Sequence, residues 1–153
     1  GADVRWSATA VEVTAEGPLH GIAVDMADIS DTAQSLAAVA PYADSPTTVT
    51  GIGFIRGKET DRIAAVVTEL RRLGVDAVEE PDGFTVRPGR PGPGSVRTYD
   101  DHRMAMSFAV LGLGTDGVRI RDPGCVAKTY PGFWVDLDRI TTGPATGPVA
   151  PTP

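Results

Sequence analysis

The sequence predicts an α/β fold. Short runs rich in β-branched residues alternate with helix-forming segments, the pattern of strands joined by crossover helices. Residues 61–73 carry one apolar stripe with a helical period, and Pro81-Asp82-Gly83 separates two strand-like runs. Asp31 and Lys58 also precede Asp101 and Lys128 by the same 70 positions, which favours a repeated unit.

Length and composition restrict the function classes. A chain of 153 residues can bury the core of one domain, and 41% hydrophobic with 22% charged residues is typical of soluble proteins. A formal net charge of −6 disfavours nucleic acid and membrane surfaces as partners. The single Cys125 cannot form an internal disulfide, no apolar run reaches the roughly 20 residues of a membrane span, and no secretion signal is visible. We therefore expect a cytoplasmic location.

The first half of the chain reads as strands around one helix. Residues 4–16 alternate and predict one or two strands, and 22–26 predict a short strand. Ser30-Asp31-Thr32 offers an N-cap, with Asp31 at the cap or in the first turn, to a helix of small residues that ends near Pro41. Residues 47–52 are β-branched and predict a buried strand.

The second half begins with the clearest helix, predicted over 61–73 with Thr60 as its N-cap. Its apolar stripe consists of Ile63, Val66, Val67, Leu70 and Leu73. The remaining predicted elements are strands at 75–79 and 84–87, a Pro/Gly-rich loop at 88–95, a helix at 101–113, a strand at 118–121 and a helix at 133–140. We predict one domain over 1–140 and a disordered Gly/Pro/Thr-rich tail over 141–153.

Cationic residues gather at predicted element ends, although the chain is acidic overall. They are Lys58, Arg62, His102, Arg103 and Lys128. Cations at loop-to-helix junctions favour a site for a small, multiply charged anion, because they can donate charge-assisted hydrogen bonds to phosphate or carboxylate oxygens. Two carboxylates, Asp31 and Glu59, are the candidates for proton transfer.

Each of these residues also has an ordinary structural interpretation. Lys58 and Arg62, spaced i, i+4, could share a solvated helix face with Glu59 at the positive end of the dipole. Asp101 is most simply an N-cap, and Lys128 alone is a surface lysine. No metal-ligand spacing, Walker loop, dinucleotide fingerprint or Ser-His-Asp pattern is found, so we predict neither a metal nor an organic cofactor.

Four stretches together resemble 5-enolpyruvylshikimate-3-phosphate (EPSP) synthases. They are Asp25-Met-Ala-Asp28-Ile-Ser-Asp31-Thr-Ala, Lys58-Glu-Thr-Asp-Arg62-Ile, Tyr99-Asp-Asp-His102-Arg103-Met-Ala-Met and Asp122-Pro-Gly-Cys-Val-Ala-Lys128-Thr-Tyr-Pro. The resemblance covers nearly the whole chain to about residue 140. The related enolpyruvyl transferase that acts on UDP-N-acetylglucosamine lacks this combination and is a more distant alternative.

The resemblance implies a fold of two repeated β-α-β-α-β-β-type units of the enolpyruvyl transferase fold, the second incomplete. It implies transfer of the enolpyruvyl group of phosphoenolpyruvate (PEP) to the 5-hydroxyl of shikimate 3-phosphate, without metal or organic cofactor. Asp31 would accept the proton of that hydroxyl, and Glu59 would shuttle the proton of the PEP methylene. Lys58 would lie on the shikimate phosphate side, and PEP would be bound by Arg62, Arg103 and Lys128 with His102 beside them.

The chain departs from the family in three respects. Family members are longer two-domain proteins with the site in the cleft, and this chain resembles only the C-terminal part. We therefore expect it to supply the PEP-facing half of the site and to be inactive alone, needing a missing N-terminal half or a second copy. The alternative is a non-catalytic domain, or one half of a split enzyme, that binds phosphorylated anions. Phe54 and Gly57 stand where the family usually has asparagine and valine.

Overall fold

Two pairs of parallel strands, each joined by a helix, organise the fold. A computed structural model describes residues 1–142 of the chain. The strands are β1 Ala2–Trp6, β2 Val11–Ala15, β3 Ala23–Asp25, β4 Thr47–Thr50, β5 Ala77–Glu80, β6 Gly83–Val86, β7 Gly94–Val96 and β8 Val118–Ile120. The α-helices are α1 Ala33–Val39, α2 Arg62–Arg72, α3 His102–Gly112 and α4 Phe133–Thr142, and 3₁₀ segments span Ala27–Thr32, Ala40–Tyr42, Gly53–Gly57 and Pro123–Lys128. The predicted α/β class is confirmed.

The strands form one sheet of four and two sheets of two. The four-stranded sheet has the order β3-β4-β6-β5, in which only the β3–β4 pair is parallel. β1 and β2 form a separate antiparallel hairpin, and β7 pairs with β8 in parallel. α1 connects β3 to β4, and α3 connects β7 to β8. Each second strand then leads into a 3₁₀ segment that brings the chain to a lysine. The shared order agrees with the proposed repeat, which itself stays a prediction.

The two crossover helices pack side by side in parallel. Ser35 in the first turn of α1 and Ser107 at the middle of α3 have their hydroxyl oxygens 3.2 Å apart. Tyr42, in the 3₁₀ segment that follows α1, donates its hydroxyl to the Leu111 carbonyl oxygen near the C-terminal end of α3 at 2.7 Å. Ala33, Ala37 and Ala38 of α1 are all fully buried. The N-terminal ends of α1 and α3 are consequently neighbours, and the residues just before each helix can meet.

α2 packs with its predicted apolar stripe inward. Ile63, Val66, Val67, Leu70 and Leu73 are all buried, so the prediction of this stripe is confirmed. Their neighbours in the core include Val49, Phe84, Met104, Phe108 and Leu111, from the four-stranded sheet and α3. Within residues 1–142, no helix combines the length and apolar character needed to cross a membrane.

Two cap predictions are wrong. α2 begins at Arg62, and its N-cap is Asp61 rather than Thr60: the Asp61 carboxylate accepts from the Ala64 amide at 3.0 Å. Asp31 does not cap a helix either: the N-cap position of α1 is Thr32, within the predicted Ser30-Asp31-Thr32 stretch, and its side chain makes no capping bond. α1 begins two residues later at Ala33 after a 3₁₀ segment, and the Asp31 side chain is instead engaged by arginines from elsewhere in the fold.

Other element boundaries shift in smaller ways. The 4–16 run forms two strands, and β7 starts at Gly94 within the segment predicted to be a loop. α4 continues to Thr142, so the first two residues of the predicted tail are helical. The rest of that tail, 143–153, lies outside the described residues, and the division into domain and tail stays a prediction.

The β5–β6 hairpin supports the loop that leads to Lys58. Its predicted turn is confirmed, because Glu80 and Gly83 pair across Pro81-Asp82. The Asp82 carboxylate accepts from the amides of Gly51 and Gly53 at 2.9 and 2.8 Å. Gly51 has φ = +76° and lies against the Asp25 carboxylate, so a β-carbon there would be both strained and obstructed. The turn therefore fixes where the chain leaves β4.

The cap assignment can be tested with a matched pair of variants. We expect Asp61→Ala to lower the free energy of unfolding by about 1–2 kcal/mol, because it removes the acceptor for the Ala64 amide together with the ion pair to Arg56. Thr60→Ala should change it by no more than about 0.5 kcal/mol. Urea unfolding followed by circular dichroism measures both. Equal losses in the two variants would contradict the assignment.

Candidate active site

A buried arginine lies at the centre of the site. Arg62, the first residue of α2, has a side chain only 2% exposed. Each of its three guanidinium nitrogens donates to a different carboxylate: Nε to Asp101 at 2.7 Å, Nη1 to Asp31 at 3.1 Å and Nη2 to Glu59 at 2.6 Å. The interpretation of Arg62 as part of a solvated helix face is therefore wrong. A buried cation that donates from all three of its nitrogens fixes the positions of three acids.

Asp101 is the buried partner of Arg62. Its side chain is fully buried, and while Oδ2 accepts from Arg62, Oδ1 accepts from the amide of Arg103 at 2.8 Å. It is thus the N-cap of α3, as predicted, and at the same time an ion-pair partner. One carboxylate consequently joins the first turn of α3 to the first turn of α2.

Asp31 bridges two arginines. Its Oδ1 accepts from Arg62, its Oδ2 accepts from Arg103 Nη2 at 2.7 Å, and its carbonyl oxygen accepts from Arg103 Nη1 at 2.9 Å. The Asp31 side chain is 50% exposed, so its carboxylate also faces solvent. A ligand can therefore approach this carboxylate while the arginines hold it in place.

The two lysines of the chain border this cluster. Lys128 ends the 3₁₀ segment after β8, and its Nζ lies 3.3 Å from the carbonyl oxygen of Asp100. Lys58 is exposed, directly precedes Glu59, and makes no side-chain hydrogen bond or ion pair with the rest of the described chain. The lysines are thus the cations most available to an incoming anion.

His102 and Arg103 open α3 at the edge of the cluster. His102 is buried, and its Nδ1 has no hydrogen-bond partner among the described residues; the same is true of Arg103 Nε. The groups in direct contact in this cluster are two arginines and three carboxylates. Lys58 and Lys128 at its border add two positive charges, so positive charges exceed negative ones by only one. The attraction for an anion therefore depends on directed N–H donors rather than on a large local excess of charge.

Phe54 and Gly57, in the loop that leads to Lys58, are both exposed to solvent. Phe54 is 57% exposed. A β-carbon at Gly57 would meet no atom within 4 Å, and its φ is not in the left-handed region, so the backbone itself does not require glycine there.

Cys125 does not have the features of a nucleophile. It lies in the 3₁₀ segment that ends at Lys128, and burial raises the pKa of its thiol. A raised pKa keeps the sulfur protonated at neutral pH, which lowers its reactivity. Among residues 1–142, no cluster of three or more His, Cys, Asp or Glu side chains could hold a metal ion.

The structure thus assembles most of the predicted site residues, which come from four separate stretches of the sequence. Asp31, Glu59, Arg62 and Arg103 are in direct contact. Sequence reasoning missed the ion pair between Asp101 and Arg62, since a single N-cap residue has no distinguishing pattern.

Comparisons with known proteins identify the family of the chain. A family model described as "EPSP synthase (3-phosphoshikimate 1-carboxyvinyltransferase)" matches residues 1–137. The chain belongs to the EPSP synthase family. A 3-phosphoshikimate 1-carboxyvinyltransferase from Nostoc punctiforme is 54% identical over 134 residues, and one from Methanoculleus marisnigri is 46% identical over 137 residues.

Solved structures show the same fold. An EPSP synthase from Acinetobacter baumannii aligns over 92% of this chain with a TM-score of 0.76 and 26% identity, and the alignment covers 35% of the A. baumannii chain. The enolpyruvyl transferase NikO from Streptomyces tendae aligns over 91% of this chain and 32% of its own, with a TM-score of 0.74 and 24% identity. The enolpyruvyl transferase fold expected from the resemblance is therefore confirmed.

This EPSP synthase family chain spans about a third of the length of its relatives. The matches cover 88% of the chain but 32% of the N. punctiforme protein, and 90% of the chain but 32% of the M. marisnigri protein. Roles assigned to individual residues, and the activity of the whole family member, are treated below as proposals.

The central ion pair can be tested with two variants that change the charge equally. We expect Asp101→Asn to lower the free energy of unfolding by about 2–4 kcal/mol, because buried Arg62 loses a charged acceptor. Asp100→Asn, at the neighbouring exposed position, should change it by less than about 0.5 kcal/mol, since asparagine tolerates the left-handed conformation there. Urea unfolding of both proteins is the measurement. A loss of similar size in Asp100→Asn would point to net charge rather than to the pair.

Proposed function

We propose that this chain forms the PEP-facing half of an EPSP synthase site. In the complete site, the enolpyruvyl group of PEP passes to the 5-hydroxyl of shikimate 3-phosphate and inorganic phosphate leaves. The observation that supports this most strongly is the contact of Arg62 and Arg103 with Asp31 and Glu59, with both lysines alongside. Cations that bind two anionic groups and carboxylates that move protons are what this reaction requires.

Each residue has a proposed role. Lys128, Arg103 and Arg62 bind the carboxylate and phosphate of PEP, with His102 beside them. Lys58 contacts the shikimate 3-phosphate side. The oxygen of the 5-hydroxyl bonds to C2 of PEP while Asp31 takes the proton of that hydroxyl. Glu59 delivers a proton to the C3 methylene. The tetrahedral intermediate then loses phosphate and a C3 proton, which restores the double bond.

The ion-pair network gives this mechanism an exchange step. Asp31 and Glu59 now occupy the Nη1 and Nη2 atoms of Arg62. A substrate carboxylate that reaches Arg62 takes over one of these donors and releases the carboxylate that held it. The released acid then lies within reach of the substrate while the Arg62–Asp101 bond keeps the guanidinium in position.

In this proposal, turnover requires a second protein segment that completes the cleft. The chain covers about a third of its relatives' length, and a cleft with one wall absent loses both charges and positioning, each worth orders of magnitude in rate. An alternative is a domain that only binds phosphorylated anions. This alternative also predicts that the chain binds PEP, but it predicts no phosphate release even when an N-terminal portion is added.

Binding is tested by titrating the isotope-labelled chain with PEP and following amide resonances. We expect signals around Lys58, Arg103 and Lys128 to shift. Lys128→Ala should weaken binding about tenfold or more, because it removes a charge-assisted hydrogen bond to the ligand. The control is Arg87→Ala, which removes an exposed cation paired with Asp76 and should leave affinity within about twofold. Equal weakening in both variants would indicate non-specific charge attraction.

Turnover is tested by phosphate release from PEP and shikimate 3-phosphate. We expect the chain alone to release no more phosphate than its Lys128→Ala variant. Release should appear when a separately expressed N-terminal portion of the N. punctiforme relative is added. Release by the chain alone would contradict the requirement for a second wall. Binding without release in the mixture would favour the binding-domain alternative.

A further inference from the structure

A third buried charged side chain, besides Arg62 and Asp101, has no role in the mechanism above. Glu69 lies in α2, two turns after Arg62, and its side chain is fully buried. Burying a carboxylate is costly unless hydrogen bonds compensate for the lost water. The partners of Glu69 therefore indicate what it holds in place.

The Glu69 carboxylate accepts from three groups. Oε1 accepts from the Tyr99 hydroxyl at 2.7 Å, and Oε2 accepts from the Arg97 amide at 3.1 Å and from Arg72 Nε at 3.0 Å. Two of these donors belong to the segment between β7 and α3, whereas Arg72 is a neighbour on α2 itself. Glu69 thus ties the core helix to the chain that enters α3.

That segment is conformationally strained. Tyr99 and Asp100 both have φ = +56°, in the left-handed region. For residues other than glycine this conformation costs about 1–2 kcal/mol each, and a bulky residue such as Tyr99 adopts it less readily than asparagine or aspartate. Two such residues in succession persist only where surrounding contacts hold them. The Glu69 bonds to Arg97 and Tyr99 are contacts of that kind.

The strained turn sets the position of two site groups. It ends directly before Asp101, whose carboxylate holds Arg62, and it presents the Asp100 carbonyl oxygen to Lys128 Nζ. If the turn relaxed, both of these contacts would move. Burial and the neighbouring Glu69 raise the pKa of Tyr99, which keeps its hydroxyl a donor at neutral and mildly alkaline pH.

We propose that Glu69 is a positioning residue of the site: by holding the Tyr99–Asp100 turn, it aligns Asp101 with Arg62 and the Asp100 carbonyl with Lys128. Its importance for substrate rests on the proposed function, whereas its effect on Arg62 can be measured without substrate. A purely stabilising role predicts that exchange at Arg62 speeds up only as much as that of the buried backbone amides of α2, because both then open by unfolding. A positioning role predicts that exchange at Arg62 speeds up more than at those amides.

Three variants of the full chain separate these roles. Glu69→Gln removes the charge that holds the turn, and Tyr99→Phe removes only the hydroxyl that donates to Glu69. Arg72→Gln is the matched control, because it removes a partner of the same carboxylate without touching the turn. The reporter is the Nε–Hε nuclear magnetic resonance signal of Arg62, assigned as the one lost in Arg62→Lys. PEP titrations are run on the same samples.

We expect the Arg62 Hε proton to exchange with water about tenfold faster or more in Glu69→Gln and Tyr99→Phe, because the bond to Asp101 opens more often. In Arg72→Gln the rate should stay within about twofold of the unsubstituted chain. PEP binding should weaken in the first two variants and not in the third. Unchanged Arg62 exchange in Tyr99→Phe and Glu69→Gln would overturn the proposal, as would equal acceleration in Arg72→Gln.

Failure of the proposed function gives a different result. If the unsubstituted chain shows no response to PEP, the PEP assignment fails, while Arg62 exchange still decides whether Glu69 positions the ion pair. If Glu69→Gln does not fold, Tyr99→Phe decides alone, since it retains the charge on Glu69 and its bonds to Arg72 and the Arg97 amide.

Discussion

The structure depends on the burial of one guanidinium group. Arg62 is withdrawn from water at the start of α2, and a cation in that position is tolerated only if its donors are matched by acceptors. The three acids that match them come from the 3₁₀ segment before α1, the loop before α2 and the N-cap of α3. Asp101 is the fully buried acid of the three, so its removal would take away the guanidinium's acceptor on the side that water does not reach. The arginine therefore couples the positions of three chain segments that are far apart in the sequence or belong to different elements.

The packing of the crossover helices makes this convergence possible. α1 and α3 connect parallel strand pairs and lie in parallel themselves. Ser35 of α1 pairs with Ser107 at the middle of α3, and Tyr42, which follows α1, bonds near the C-terminal end of α3. Small residues in α1 allow the two backbones to approach, and Asp31 and Arg103 meet just before and within the first turns. Buried Glu69 of α2 holds the strained Tyr99–Asp100 turn before α3. Two features thus fix the site: the packing of α1 against α3, and the buried Glu69 carboxylate that holds the turn before α3.

The same interactions that stabilise the fold are those that the proposed chemistry uses. Asp31 and Glu59 are held against Arg62 until an anion replaces them, while Asp101 stays in place because it is fully buried and also caps α3. A network in which each charged group already has an oppositely charged partner, and whose exposed edge can exchange partners, can bind a multiply charged substrate without leaving buried charges unpaired in its absence. Lys58 and Lys128, at the border, supply charge that the internal acids do not neutralise directly.

The sequence by itself determined those elements that depend on interactions between residues close together in the chain. The α2 stripe, the Pro81-Asp82 turn, the α/β class and the capping role of Asp101 follow from periodicity, turn chemistry and capping, which act over a few residues. The motifs also led to the family and to the residues proposed for the site. The sequence did not determine which acid pairs with which cation. Arg62 was as compatible with a solvated helix face as with the core, and Asp31 was as compatible with a cap as with a bridge between arginines. Those choices depended on burial and on contacts between residues 31 to 72 positions apart, which only the tertiary structure brings together.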